Sequence, residues 1–376
     1  MAPGRPPSAG PPVSPPASAQ PGVQQQSAPG ARFTPPLGVN VQPVAPDLAP
    51  PRPRSPNLGR ALAVGAGAAV LGIGAAAIIN SNRLEDVRTR REETNEDGVR
   101  VIREPGRVLV RDEGGRLFIR GDETERYRIL GGDIRTERLG DDFVSIYERP
   151  DGSRVISVTD EHGRLVRRIR RLPDGREFVI IDNGPRRAEF IDEVIGLAPF
   201  ETLPIPRERY IVDAGEAQPE AIYQALLAEP IAPLPQRYTL DQVRNSPQVR
   251  ARMPSIDLNS IAFATGSWAV PPEQAGRLSV IAEGIRRALA ASATEVYLIE
   301  GHTDMVGSDV DNLSLSDRRA QAVAVLLTQQ FAIPPENLTS QGYGEQYPKE
   351  NIQGPSVINR RVTLRRITPL INQQPQ

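Results

Sequence analysis

Apolar and charged residues alternate along much of the chain between residue 99 and residue 183. A period of two is typical of β-strands, in which successive side chains point to opposite faces. Glycines at Gly152, Gly163 and Gly175 interrupt the alternation at intervals of 11 and 12 residues. Because glycine supplies the positive φ that tight hairpins need, the pattern predicts a repetitive antiparallel β-module, a β-meander, over residues 99–190. Its many Arg, Asp and Glu side chains are expected to be exposed and to discourage edge pairing.

Two segments of other composition flank this β-module. Residues 84–98 are charged and mostly have helical propensity, and we interpret them as a linker. Residues 191–254 contain several prolines and two short helical patterns, at 220–228 and 239–253, which indicate a connector to the last domain. The β-module itself shows no catalytic constellation, so a role as a spacer or a protein-docking unit is our interpretation.

The spacing of apolar residues changes again within residues 255–368. Alternating runs at 256–263, 295–300 and 361–367 predict three strands. Between them, two sets of apolar residues recur at helical spacing: Leu278, Ile281, Ala282, Ile285 and Leu289, then Ala320, Val323, Leu326 and Leu327. They predict two amphipathic helices, the second of which Ser314 or Ser316 is able to cap. The order β-α-β-α-β predicts an α/β domain, an α+β sandwich with its helices on one face of the sheet.

The ends of the chain are poor in large apolar side chains. Residues 1–59 are mainly Pro, Ala, Gly, Ser and Gln, which cannot bury enough surface to offset the entropy of ordering, so we predict a disordered tail. Residues 369–376 are predicted to be a second disordered tail. The opening residues have no apolar core of a signal peptide, and the hypothesis that a signal lies upstream of Met1 stays open.

Residues 61–79 contain no charged or polar side chain and are bounded by Arg60 and Asn80. A helix that rises about 1.5 Å per residue reaches across a bilayer core of about 30 Å over this length, so residues 60–80 are predicted to be a transmembrane helix. The alternative is a buried core helix or a collapsed loop. Its glycines favour helix association in lipid, which predicts a possible homo-oligomer. Arginines lie on both sides, so the orientation, and the choice between inner and outer membrane, stay open.

The overall composition excludes several classes of site. A net charge of −1 gives no reason to expect nucleic acid as a partner. The absence of cysteine excludes disulfides, thiolate nucleophiles and cysteine-based metal sites. The two histidines, His162 and His302, are far apart in sequence, so a metal site with several histidines is not expected. We predict neither a cofactor nor a metal.

The most specific stretch of the sequence is residues 300–320, EGHTDMVGSDVDNLSLSDRRA. Asn312 follows Asp304 by eight residues and opens the pattern N-x-x-L-S-x-x-R-A. Further residues complete the pattern downstream: Gly342, Gly344, Glu345, Pro348 and Asn351, then Asn359, Arg360, Arg361 and Val362. Fixed residues in three separate stretches are far more specific than one short motif.

On these residues, the segment 255–367 resembles the peptidoglycan-binding domain shared by OmpA C-terminal domains, the Pal lipoprotein and the MotB stator protein. The resemblance implies the same fold and a non-catalytic protein of the bacterial cell envelope that binds peptidoglycan. The domain would then lie in the periplasm. Together with a membrane segment at 61–79 that contacts lipid, such a protein would tether a membrane to the cell wall.

The motif also suits a particular ligand chemistry. Asp304 follows a predicted strand, in a loop bounded by Gly301 and Gly307, and such loops are where ligands usually meet an α/β scaffold. Arg319 follows Asn312 by seven residues, about two helical turns, so both can share one helix face. A carboxylate and a guanidinium held close together without pairing would suit a zwitterion, such as the diaminopimelate of a peptidoglycan stem peptide.

The resemblance implies that Asp304 accepts a hydrogen bond from the ligand ammonium and that Arg319 binds the ligand carboxylate. Asn312 and Arg360 match the supporting polar residues of the family pocket. Other motif residues are expected to support the site: Gly301, His302, Thr303, Gly307, Leu315, Ser316 and Asn359. The chain departs from the family pattern at Pro355 and Ser356, which affects the rim of the pocket.

Three other interpretations stay open at this stage. Asp304 and Arg319 could form a surface ion pair with little energetic effect. An enzyme acting on the cell wall would need two carboxylates or a nucleophile with its base, and the motif offers neither. A structural role in a larger envelope assembly, stator-like or of secretion type, would use the same domain to dock on the wall. Residues 61–79 lack the carboxylate that an ion-driven stator needs.

Overall fold

The structure, a computed structural model, describes residues 82–96, 99–112, 114–161, 163–184, 204–259 and 261–371. Across these ranges, no helix combines the length and the apolar character needed to cross a membrane. The predicted tail at 1–59 and the predicted transmembrane helix at 60–80 fall outside the described residues. Both therefore stay predictions.

The first part of the described chain is a short helix, α1 (Leu84–Arg88), followed by a four-stranded antiparallel sheet. The strands pair in chain order: β1 (Glu92–Glu96), β2 (Val99–Glu104), β3 (Arg107–Arg111) and β4 (Leu117–Gly121). Strand β1 lies inside the segment that was interpreted as a linker. Its sequence, EETNE, has no apolar residue, because it is an edge strand whose pairing to β2 depends on backbone hydrogen bonds.

A second antiparallel sheet follows helix α2 (Glu125–Ile129). Its five strands also pair in chain order: β5 (Ile134–Leu139), β6 (Asp142–Glu148), β7 (Arg154–Thr159), β8 (Leu165–Arg171) and β9 (Glu177–Asp182). The turn glycines Gly152, Gly163 and Gly175 have φ values of 78°, 73° and 86°, as tight hairpins require. The predicted single β-module is thus two meanders, and α2 separates them.

Residues 204–259 contain short helices and one strand: α3 (Arg207–Tyr210), β10 (Ile211–Asp213), α4 (Pro219–Leu227), α5 (Leu240–Asn245) and α6 (Pro247–Arg250). A capping box begins α5, in which Thr239 and Gln242 each bond the other's backbone N–H. Strand β10 pairs with the sheet of the last domain, and Ile222 and Leu226 of α4 join its core. This segment is therefore part of the domain and not only a connector to it.

The last domain packs helices on a five-stranded mixed sheet that includes β10. Its remaining elements are β11 (Ser255–Asp257), α7 (Pro272–Ala275), α8 (Ser279–Ala291), β12 (Tyr297–Gly301), α9 (Asp309–Phe331), β13 (Leu338–Gly342), β14 (Val362–Arg366) and α10 (Thr368–Ile371). The strand order in this sheet is β10-β11-β14-β12-β13. The predicted order β-α-β-α-β omitted β10 and β13. Strand β13 reads LTSQG, whose polar residues give no alternating signal, yet it pairs in parallel with β12.

Helix α9 begins five residues before the first serine that was predicted to cap it. Ser308 is the N-cap, and its hydroxyl accepts a hydrogen bond from the backbone N–H of Asp311. The capping prediction for Ser314 and Ser316 was wrong, since both are fully buried inside the helix. The early start places Asn312 and Arg319 on the same helix. At the other end of the domain, Ile371 is buried in α10, so the start of the predicted tail at 369–376 is helical.

Candidate functional site

The structure brings together the four predicted site residues, which come from three parts of the last domain. Asp304 lies in the loop after β12, Asn312 and Arg319 lie on α9, and Arg360 directly precedes β14. Asp304, Asn312 and Arg319 are each at least 95% buried, with 5%, 5% and 4% exposed surface. The Arg360 side chain keeps 40% of its surface exposed, so it forms the rim.

Asp304 is an ionised carboxylate held by three donors. Its Oδ2 accepts from Arg360 Nη1 at 2.5 Å and from the Ser356 backbone N–H at 3.1 Å, and its Oδ1 accepts from the Val306 N–H at 3.3 Å. Burial opposes its ionisation, but these hydrogen bonds outweigh burial and keep the pKa of Asp304 below its ordinary value. The Ser356 contact shows that the rim segment, which departs from the family pattern, still reaches Asp304.

Asn312 fixes the loop that carries Asp304. Its Nδ2 donates to the Asp304 backbone oxygen at 3.2 Å and to Glu345 Oε2 at 2.7 Å. The Asn312 side chain therefore joins helix α9 to the loops after β12 and β13. Asn312 thus supports the loop that carries Asp304, and its part in ligand binding stays a prediction.

Arg319 is held by neutral groups. Its Nε donates to the Ser267 backbone oxygen at 3.0 Å, and its Nη2 donates to the Ala264 oxygen at 3.2 Å. Its guanidinium carbon lies 5.0 Å from the centroid of the Phe263 ring. Burial and the nearby Arg360 charge lower the pKa of Arg319 to about 10, although the attraction of Asp304 opposes this change. Sequence reasoning missed the 264–268 loop, because its contribution is made by backbone oxygens.

The supporting motif residues serve packing and loop geometry. The His302 ring is buried, stacks on Tyr343 at a centroid distance of 5.5 Å, and has a pKa well below its ordinary value because burial disfavours the cation. Thr303 is buried and its N–H donates to the Gly344 oxygen. Gly307 has a φ of 107°, which favours glycine. Asn359 is fully buried and its Oδ1 accepts from the backbone N–H of Lys349.

Two further motif positions set the distance between helix and sheet. Ser316 Oγ donates to the Leu313 oxygen and accepts from the Gly344 N–H, so it joins α9 to the loop after β13. Gly301 on β12 lies so close to α9 that an added Cβ would be 1.9 Å from the Ser316 oxygen. Leu315 is buried in a small cluster with Trp268.

The first β-sheet covers the face of α9 that points away from the domain core. Ile102 and Leu109 pack against Leu313 of α9. Arg107, 2% exposed, donates to Asp317 Oδ2 at 2.8 Å, while Asp317 Oδ1 accepts from the Gly342 N–H. The β-module was interpreted as a spacer or a protein-docking unit whose charges are exposed. Its first sheet lies directly on the helix that carries Asn312 and Arg319, and the expected exposure is wrong for Arg107. The role of the β-module stays an interpretation.

A profile of the OmpA family matches residues 262–361, a range that contains all four site residues. YfiB of Escherichia coli (strain K12), which is named as a lipoprotein, is 34% identical over 114 residues, covering 30% of this chain and 68% of YfiB. The chain belongs to the OmpA family. Outer membrane porin F of Pseudomonas aeruginosa is also similar in sequence: it is 42% identical over 66 residues, covering 17% of this chain and 19% of porin F.

Among solved structures, the chain is similar to the peptidoglycan-associated lipoprotein from Burkholderia pseudomallei. The alignment covers 28% of this chain and 86% of that one, at 20% identity and a TM-score of 0.24. Membership of the OmpA family rests on the sequence matches and not on this alignment. The family match ends at residue 361 and begins at residue 262, so the two β-meanders lie outside it.

Proposed function

We propose that this OmpA family member binds peptidoglycan without catalysis, by holding the diaminopimelate of the stem peptide between Asp304 and Arg319. In this proposal Asp304 accepts hydrogen bonds from the ligand ammonium, and Arg319 binds the carboxylate on the same carbon. Asn312 and Arg360 hold the Asp304 loop and its carboxylate in place. The placement of the four residues in one site supports this assignment.

The observation that carries the proposal is the charge imbalance at Arg319. Arg319 is 4% exposed as a residue, and its guanidinium bonds only to neutral backbone oxygens among the residues that the structure describes. A buried cation without a carboxylate partner is costly, so a ligand carboxylate that reaches it gains a strong charge-assisted hydrogen bond. Asp304 lies close enough to Arg319 to oppose in part the lowering of the Arg319 pKa by burial, yet the Asp304 ion pair is made with Arg360.

The proposal extends to attachment of the cell envelope. If residues 61–79 cross a membrane, the described structure begins three residues later, at residue 82. Helix α1 and the first sheet fold directly onto the last domain, so the site would lie near the membrane surface. The protein would then tether that membrane to the wall, with residues 80–376 in the periplasm.

The binding test uses the full chain in a pull-down with purified peptidoglycan sacculi. Arg319→Gln and Asp304→Asn each remove one charge with little change of shape, and each is expected to weaken binding by about tenfold or more, the equivalent of about 1.4 kcal/mol or more. Arg176→Gln, whose side chain is 70% exposed and pairs with Asp174, should bind like the wild type. Circular dichroism and thermal melting check that every variant is folded.

Sacculi whose stem peptides carry lysine in place of diaminopimelate provide a second comparison in the binding test. Lysine lacks the second carboxylate, so the wild type should bind such sacculi about as weakly as Arg319→Gln binds the normal ones. If the folded wild type stays in the supernatant with both kinds of sacculus, the proposed function is ruled out. If it sediments equally with both kinds, recognition of the diaminopimelate carboxylate by Arg319 is ruled out.

Binding is also expected to resist mild acid. The pKa of Asp304 lies below its ordinary value of 3.8, so the carboxylate stays charged where a free aspartate would begin to take up protons. Affinity for a soluble stem tripeptide should stay constant from about pH 7 to about pH 4 and fall only below that range. Isothermal titration calorimetry at several pH values measures this. A fall centred above pH 5 would contradict an ionised Asp304 with a lowered pKa.

A further inference from the structure

Residues 82–91, which we call the strap, run alongside the 264–268 loop. The Leu84 N–H donates to the Gly266 oxygen at 2.8 Å, and the Trp268 N–H donates to the Asn82 oxygen at 3.2 Å. Arg83 and Ser267 form an antiparallel β-bridge between these two bonds. The strap and the loop are therefore joined backbone to backbone, as in a very short sheet.

Side chains strengthen this junction on its inner side. Leu84 and Val87 of α1 are 6% and 2% exposed and cluster with Trp268 and with Leu315 of α9. Trp268, the only tryptophan of the chain, is 8% exposed, and the Arg318 guanidinium carbon lies 5.0 Å from its ring centroid. The apolar contacts of the strap thus fall on the loop and on the helix that carries Arg319.

Charged groups fix the other end of the strap to the first turn of α9. Arg88 Nη2 lies 2.7 Å from Asp311 Oδ2, and Arg91 Nη2 lies 3.0 Å from Asp311 Oδ1. Arg91 also contacts Glu104 of β2 at 2.6 Å. The Asp311 carboxylate is adjacent in sequence to Asn312, so both ends of the strap reach parts of the chain that build the candidate site.

The 264–268 loop is a turn closed by a hydrogen bond from the Ser267 N–H to the Ala264 oxygen at 3.1 Å, and the strap contacts join this turn to the rest of the domain. Ala264 and Thr265 are exposed, and Gly266 has a φ of 64°, so the loop has little packing of its own apart from Trp268. Yet the Ala264 and Ser267 oxygens accept the two hydrogen bonds that orient the Arg319 guanidinium. A loop that is displaced by even about 1 Å would no longer meet both donors at hydrogen-bond distance.

We propose that the strap is a positioning element for Arg319: it holds the 264–268 loop, whose Ala264 and Ser267 oxygens orient the guanidinium toward a ligand carboxylate. The proposal rests on the proposed function only in that Arg319 is taken to be the carboxylate-binding group. Its positioning residues are Leu84, Val87 and Trp268, none of which belongs to the motif of the OmpA family. The site would therefore be completed by a segment that lies about 180 residues before the family domain.

The test removes the apolar contacts of the strap in the full chain, which gives a loosened variant, and then joins the strap to the loop again with a disulfide. Leu84→Ala combined with Val87→Ala should weaken binding of a soluble diaminopimelate-containing tripeptide by about two- to tenfold, the cost of ordering one long side chain during binding. In an Arg319→Gln background the same pair should have no further effect, because its influence passes through Arg319. Val99→Ala combined with Val110→Ala is the matched control, since these residues are at least as deeply buried as Leu84 and Val87 but lie outside the strap.

Rescue uses the absence of cysteine from the chain. Arg83→Cys with Ser267→Cys places two thiols on bridged positions, whose spacing in an antiparallel pair suits a disulfide. In the loosened variant, oxidation should restore affinity and reduction should remove it again. Nuclear magnetic resonance gives a measurement that needs no ligand. The Arg319 Nε–H signal is assigned by its loss in Arg319→Gln. This proton should exchange with water faster in the loosened variant than in the wild type, and slowly again after oxidation.

The outcomes separate the two proposals. The positioning role alone would be overturned by one combination of results. In it the wild type binds, Arg319→Gln does not, and the loosened variant binds like the wild type. A wild type that fails to bind the tripeptide would overturn the proposed function, and the Arg319 Nε–H exchange would then decide the positioning role by itself. Unchanged exchange in the loosened variant would overturn it in either case.

Discussion

Replacing Gly301 with alanine is expected to unfold the last domain or to destabilise it by about 4 kcal/mol or more. A Cβ at this position would lie 1.9 Å from the Ser316 oxygen and 2.7 Å from the Ser316 carbonyl carbon. Both atoms are helix backbone, which cannot rotate away as a side chain would. Gly342, the partner of Gly301 on β13, is equally constrained, with Asp317 N at 2.4 Å from an added Cβ. The two glycines let α9 cross the sheet at close range.

Urea unfolding followed by circular dichroism measures this effect. Gly276→Ala is the matched control, because an added Cβ at Gly276 meets no atom within 4 Å and the backbone is already helical. It should leave the free energy of unfolding unchanged or raise it by about 0.5 kcal/mol, since alanine restricts the unfolded chain. If Gly301→Ala proved as stable as Gly276→Ala, the close crossing of α9 over β12 would be refuted.

Replacing Glu123 with glutamine is expected to cost about 3–5 kcal/mol of stability, because it leaves the buried Arg168 and the largely buried Arg244 with one carboxylate too few. Glu123 follows β4 and contacts Arg168 of β8 at 2.9 Å and Arg244 of α5 at 2.7 Å. Arg168 is 2% exposed. The carboxylate therefore joins the first sheet, the second sheet and the helices before the last domain. Glu148→Gln, which removes a 60% exposed carboxylate 3.7 Å from Arg154, should change stability by less than about 1 kcal/mol.

The Glu123 carboxylate also makes the stability of the protein depend on pH. Burial opposes ionisation of Glu123, but Arg244 and Arg168 outweigh it and lower its pKa from 4.5 to about 2. In the unfolded chain the pKa is the ordinary one, so the contribution to stability is complete above about pH 4.5 and is lost as the pH falls toward 2. Urea midpoints measured from pH 6 to pH 2.5 should therefore fall less steeply for Glu123→Gln than for the wild type. Parallel curves would show that Glu123 is not the group responsible.

The motif residues lie together in the structure, but the residues that surround them were not predicted. Asp304 and Arg360 are 56 residues apart and their side chains meet at 2.5 Å, although the family pattern gave Arg360 only a supporting place around the pocket. The 264–268 loop could not be predicted, because backbone oxygens have no sequence signature. Its one visible signal was the pair of aromatic residues, Phe263 and Trp268, on either side of Gly266, in a stretch assigned to the end of a strand and the loop after it.

The packing of the β-sheets could not be predicted from the sequence, because it depends on buried ion pairs. Alternating apolar and charged residues normally mean one buried and one solvated face, so Arg107 and Arg168 were expected to be exposed. Both are 2% exposed, because each meets a carboxylate from a distant part of the chain: Arg107 meets Asp317, which lies 210 residues away. A single sequence shows the charges but not the pairing, so a buried ionic contact looks the same as a solvated one.

If the proposed tethering and wall binding hold, the junction between the strap and the 264–268 loop would also determine how the protein carries a mechanical load. Tension from an anchor before residue 82 would enter the domain through the hydrogen bonds of Asn82 and Leu84 with this loop. A wall fragment held at Arg319 would pull on the Ala264 and Ser267 oxygens of the same loop. The force would thus pass through about ten residues and bypass both β-meanders.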